Sequence, residues 1–130
     1  MEILYLIGDR CSGKTYFIDN YTNVAHIVPD EHVHRLRANS TLPKERFIGI
    51  KRVINMYYIN YSKFEAYFDY SYICIDVDLI MCNYNENNIL YGYNDYKELL
   101  TILKKFNTRV ILMCTELEYN GIKDEIKKFS

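Results

Sequence analysis

Four residues near the amino terminus have types and spacing suited to one piece of chemistry. In the octapeptide GDRCSGKT, residues 8–15, Gly8, Gly13, Lys14 and Thr15 match the pattern G-x-x-x-x-G-K-[ST] at every defined position. Glycines tolerate backbone angles that let successive N–H groups turn inward on one anion. A helix beginning near Lys14 adds its free amides and the positive end of its dipole at the same point. The segment reads as a phosphate cradle built from Gly8, Asp9, Arg10, Cys11, Ser12 and Gly13. Lys14 would neutralise the terminal phosphates, and the Thr15 hydroxyl would ligate Mg²⁺. The plain alternative is a glycine turn followed by a surface lysine.

Mg²⁺ in such a site also wants a carboxylate, and YICIDVD, residues 72–78, supplies one. Four largely apolar residues precede Asp76, which places its carboxylate at the carboxyl end of a buried strand. Ligands of open α/β sheets bind at that end. An aspartate there can also simply cap the next helix. If the strand stops at Asp76, Asp78 can bend back as a base or support the metal from outside; if it continues, residues 76 and 78 share a face. Glu116, just past a later apolar run, is the other candidate base. Arg10 can reach the phosphates, where an arginine often neutralises transition-state charge, or pair with Asp9.

With both segments in view, the chain resembles the P-loop NTPases, with GDRCSGKT as the Walker A motif and YICID as the Walker B motif. The resemblance covers most of the chain at the level of element order. It implies binding of a nucleoside triphosphate with Mg²⁺ and then hydrolysis or phosphoryl transfer, carried over to Gly8, Gly13, Lys14, Thr15 and Asp76. Thr115 stands where motor-type members place a polar contact to the γ-phosphate or the attacking water. Some viral packaging ATPases also carry an arginine at the position of Arg10. One departure stands out. Many motor-type members follow the Walker B aspartate with a glutamate that orients water, and here that residue is Val77, whose side chain accepts no proton.

The elements that must position these residues alternate. EILYLI (2–7), VAHIV (24–28), the run 72–80 and TRVILMCT (108–115) read as buried strands, and RFIGI (46–50) as a short edge strand. Helices are expected over 14–21, 95–106 and 121–129. Another is expected over 53–68, where Ile54, Tyr57, Tyr61, Phe64 and Phe68 fall at helical spacing. Asp95 and Glu98 make a capping-box signature before the buried face Tyr96, Leu99, Leu100 and Leu103. Residues 82–94 read as an asparagine-rich loop and a candidate lid. The expected fold is α/β: a minimal three-layer parallel sheet of four to five strands with helices on both faces, one P-loop domain over residues 1–130.

The chain is long enough for one core and no second domain, with 49 % apolar residues among 130. A formal charge of −1 gives no overall basic field for nucleic acid. The stretch 35–52 is nevertheless cationic, with Arg35, Arg37, Lys44, Arg46, Lys51 and Arg52 against Glu45. It suits a nucleic-acid backbone or an arginine offered to a neighbouring subunit, and also an ordinary solvated face. The four cysteines form no CxxC pair, so the expected setting is reducing and cytoplasmic, the host cytoplasm if the source is viral. The Lys/Asn/Ile/Tyr bias resembles that of AT-rich genomes, many viral ones included. No run approaches the roughly 20 apolar residues of a membrane span, and no signal peptide is visible.

The leading expectation is an ATPase of motor or switch type, working on nucleic acid or within a homo-oligomer or larger assembly. A nucleoside or nucleotide kinase, or a binding module without turnover, is the alternative. No N-K-x-D guanine-reading motif occurs. Topology separates the classes: the fourth strand between the first and third points to the motor type, and the third strand beside the first points to kinases and GTPases.

Overall fold

A computed structural model describes residues 1–53, 56–58 and 70–130. Strand β1 (Glu2–Ile7) leads through the glycine-containing loop into helix α1 (Lys14–Tyr21). Strand β2 (Val24–Pro29) is followed by the short helix α2 (Val33–Ala38), then β3 (Phe47–Val53) and β4 (Met56–Tyr58). Next come β5 (Tyr72–Asp76), the single helical turn α3 (Val77–Ile80), and a hairpin of β6 (Cys82–Tyr84) and β7 (Leu90–Tyr93). Helix α4 (Lys97–Lys105), strand β8 (Arg109–Cys114) and helix α5 (Glu116–Ile126) complete the order.

The main sheet has the order β1-β8-β5-β2-β3-β4. The first five strands are mutually parallel, and β4 returns antiparallel to β3. The carboxyl ends of β1, β5 and β8 therefore share one edge, where the loop after β1 and Asp76 meet. Alternation along each strand divides the core between two faces. Ile73 and Ile75 of β5 join Val110, Leu112 and Cys114 of β8 in the larger core, which α4 and α5 cover with Leu99, Leu100, Leu103, Ile122 and Ile126. Cys74, Ile111 and Met113 face the other way and pack on Ile18 of α1. Both faces of β5 and β8 are dry, which is why their sequences are continuous apolar runs.

Several expectations change. The α/β class holds, with five parallel strands flanked by helices. Strand β1 is an edge strand, however, with Leu4 41 % and Ile7 45 % exposed. Of RFIGI, Phe47 to Ile50 belong to a seven-residue strand inside the sheet, between β2 and β4, and Arg46 ends the turn before it. The helix expected over 53–68 fails where it can be inspected. Val53 pairs with Met56 and Arg52 with Tyr57 across the β3–β4 ladder, so valine and tyrosine follow their strand preference and the apolar spacing loses. Ile54, Tyr61, Phe64 and Phe68 lie outside the described residues.

The run 72–80 leaves the sheet at Asp76, whose carboxylate accepts the Asp78 N–H and starts α3. The asparagine-rich loop is a hairpin whose turn is tied by Asn85, which accepts from the Asn87 and Ile89 amides. Asp95 accepts from the Lys97 amide at 3.1 Å, which supports the start of α4 without a reciprocal bond from Glu98. The last helix begins five residues before the expected position, at Glu116.

Candidate functional site

The loop between β1 and α1 is shaped by its own backbone. The Gly8 N–H bonds to Cys114 O at 3.0 Å, extending the β1–β8 ladder by one residue before the chain turns. Ser12 N–H closes back on Asp9 O at 3.2 Å, with Cys11 at φ 59° and Gly13 at φ 88°. Gly13 is the N-cap of α1 in a left-handed conformation that side-chain-bearing residues resist. It offers no side chain to cap the helix, so the first amides of α1 open onto the loop. The first turn of α1 carries no acidic residue to compete for them.

These amides face a cavity of about 510 Å³ lined by the loop from Arg10 to Thr15, by Asp76 and Asp78, and by Thr115 and Glu118. Lys14 is folded against the loop, its Nζ donating to Gly8 O at 2.7 Å and Asp9 O at 2.8 Å. Asp9 itself lies outside this cavity and lines a neighbouring cleft with Arg10, Tyr84 and Thr115. Among the described residues, no three His, Cys, Asp or Glu side chains form a group that could hold a metal ion. The donors that fit a cation are therefore few. Thr15 and Asp76 line the same cavity. Burial, and then the nearby Asp78 and Glu118, push the Asp76 carboxyl up to about 6. A positive charge in the cavity would relieve that repulsion.

Asp78 lines the cavity because the strand ends two residues before it and the chain turns into α3. Its Oδ1 lies 3.6 Å from Arg10 Nη2. Burial raises its pKa while Arg10 opposes the rise. The Arg10 guanidinium also lies 4.6 Å from the centre of the Tyr84 ring, a cation–π contact. The Tyr84 hydroxyl donates to Glu118 Oε2, and the Thr115 N–H donates to Glu118 Oε1 at 2.8 Å. Glu118 N–H in turn donates to Thr115 Oγ1 at 3.2 Å, completing a capping box on α5. Arg10, Asp78, Tyr84, Glu118 and Thr115 thus form one connected polar group that ties the β6–β7 hairpin to the loop. Tyr93 of the same hairpin lies against Gly121 of α5, where any side chain would overlap its hydroxyl.

The site residues read from the sequence mostly converge. Arg10, Cys11, Ser12, Gly13, Lys14, Thr15, Asp76, Asp78 and Thr115 line one cavity, and Gly8 closes the loop behind it. Glu116 does not join them: it is exposed on the first turn of α5. The carboxylate at that position in space is Glu118, 1 % exposed, and its signal was present as Thr115-x-x-Glu118. Tyr84 carried no sequence signal. Nor did the buried pair of His26 and Asp19, 2.7 Å apart, which with Thr15 and Asp76 borders a second cavity of about 140 Å³ behind the first.

The cationic stretch is divided by the fold. Arg37 donates to Phe47 O at 2.9 Å and Arg46 stacks on Tyr70, while Arg35, Lys44 and Lys51 are exposed. The four cysteines are free thiols. Among the described residues no helix is long and apolar enough to cross a membrane. Comparison with protein-family models, with curated proteins and with solved structures found no match.

Proposed function

We propose that this chain is a compact P-loop ATPase that binds ATP with Mg²⁺ and hydrolyses it, acting on nucleic acid or within an assembly. The observation that carries the reading is the convergence of uncapped α1 amides, Lys14, Thr15 and Asp76 on one cavity at the carboxyl edge of a parallel sheet. The strand order supports the motor class over the kinase class, because β8, the fourth strand of the core, lies between β1 and β5.

In this reading the loop amides and the start of α1 hold the phosphates. The Lys14 ammonium exchanges two backbone carbonyls for phosphate oxygens, a charge-assisted and therefore stronger contact. Bound Mg²⁺ would supply positive charge between the phosphates, held through Thr15 and Asp76 with water completing its shell. Asp78 takes the water-orienting role that Val77 cannot fill. Glu118 holds the site together, one oxygen accepting from the Tyr84 hydroxyl and the other from the Thr115 amide. Arg10, within the phosphate loop, reaches Asp78 from its own side of the cavity and can turn from it to the transferring group.

The cavity behind Thr15 and Asp76 favours a second reading, phosphoryl transfer to a small acceptor seated beside His26. Phosphate release from ATP–Mg²⁺ separates the two. An ATPase releases phosphate alone and faster with DNA or RNA; a kinase makes ADP only when an acceptor is supplied. Absence of both, with ATP still bound, reduces the chain to a binding module.

A further inference from the structure

The strand that feeds the phosphate loop is the outermost of its sheet among the described residues. Among the described residues β1 pairs only with β8. The Gly8 amide bonds to Cys114 while Ile7 is in register with Cys114. In a parallel ladder, residues 4, 6 and 8 therefore direct their backbone groups at β8, and Ile3, Tyr5 and Ile7 direct theirs outward. Exposed edges are normally blunted by charge, proline or a bulge. EILYLI has none of these apart from Glu2 at its start. Helix α1 packs Ile18 over β5 and β8 and leaves Leu4 41 % exposed, while the stacked rings of Phe17 and Tyr21 also stand exposed on this face.

We infer that β1 is the interface of a homodimer, in which two copies pair antiparallel about Tyr5 and join their sheets into one. The strand's own pattern selects a second copy as the occupant. Centred on Tyr5, Ile3 meets the partner's Ile7, and Tyr5 meets the partner's Tyr5. All three outward-bonding residues then find outward-bonding partners. On the other face Leu4 meets the partner's Leu6, an apolar cross-strand pair. Glu2 falls opposite the partner's Gly8, so no like charges face each other. The two phosphate loops end up at opposite ends of the shared seam, each beside the start of the other copy's β1. This pairing does not depend on what the loops bind.

Sedimentation velocity across a concentration series tests it, together with amide hydrogen exchange at both ends of that series. The wild-type mass should rise from one chain to two, with the Ile3, Tyr5 and Ile7 amides becoming protected as it does. Leu4→Lys places charge on the exposed face of the seam without touching the loop. It should weaken the dimer by about tenfold or more while leaving the monomer's melting transition in place. A wild-type chain that stays monomeric throughout overturns the inference. So does a dimer whose three outward amides exchange as fast as in the monomer, whether or not Leu4→Lys folds.

Discussion

The two sides of the cavity are built in opposite ways. The side formed by the loop and α1 is local: its contacts join residues a few positions apart, such as Lys14 to Gly8 and Asp9, Ser12 to Asp9, and Phe17 to Gly13. The side formed by the hairpin and α5 is assembled from distant pieces. Tyr84 reaches Glu118 across 34 positions, and Arg10 reaches both Asp78 and Tyr84. The local side carries the groups proposed to bind phosphate, and their contacts with the rest of the fold are few. The distant side carries Tyr84, Thr115 and Glu118, which tie the hairpin and α5 together at the rim of the cavity. Substitutions should therefore separate binding from stability according to side.

The largest expected effect is on the local side. Lys14→Ala should lower ATP affinity or turnover by about a hundredfold or more, because a charge-assisted phosphate contact disappears. Its urea midpoint should scarcely move, since the lysine is anchored only to loop carbonyls. A large loss of stability in this variant would erase the contrast.

On the distant side the order reverses. Glu118→Ala leaves the Thr115 amide and the Tyr84 hydroxyl without their acceptor inside a buried network. It should cost about 2–4 kcal/mol in urea unfolding. ATP affinity, measured well below the unfolding transition, should fall far less than in Lys14→Ala.

Asp76 belongs to both sides, and pH separates its two roles. Its folded pKa of about 6 lies above the ordinary 3.8, so between these values the folded chain binds more protons than the unfolded one. The stabilisation is present in full below the unfolded value and is lost as pH rises through about 6. With Mg²⁺ absent, unfolding free energy should fall by about 3 kcal/mol across that window, with the raised Asp78 adding in the same direction. Asp76→Asn should flatten the profile and melt higher at neutral pH, while losing Mg²⁺-dependent binding. A wild-type profile that rises over the same window would contradict this assignment.

The smallest effect sharpens the comparison. Tyr84→Phe removes one hydroxyl and should cost about 1 kcal/mol. Amide exchange in β6 and β7 should quicken more than in α1, because the hairpin loses a tie to α5 that the loop does not share.

The same division explains what could be read in advance. The convergence of Arg10 to Thr15 with Asp76 was legible because their placement is written in short windows: a glycine loop leading into a helix, and an apolar strand ending in an acid. The parallel alternation followed from runs buried on both faces. Glu118 was half legible, since Thr115-x-x-Glu118 marks a helix start, yet Glu116 attracted attention as the nearer acid. Tyr84 was invisible, because its role arises only when the hairpin folds back on α5. The β3–β4 ladder is hidden in the sequence because the apolar residues of VINMYY, residues 53–58, fit either period, and pairing with an existing strand decides between them.

The most direct test of the central claim is calorimetric titration of ATP into the purified chain, with Mg²⁺ and then with the metal chelated. The account predicts one site per chain whose affinity falls sharply on chelation in the wild type. In Lys14→Ala it predicts no measurable heat, although that variant remains folded. Absence of binding in the wild type, or equal binding in Lys14→Ala, would contradict it.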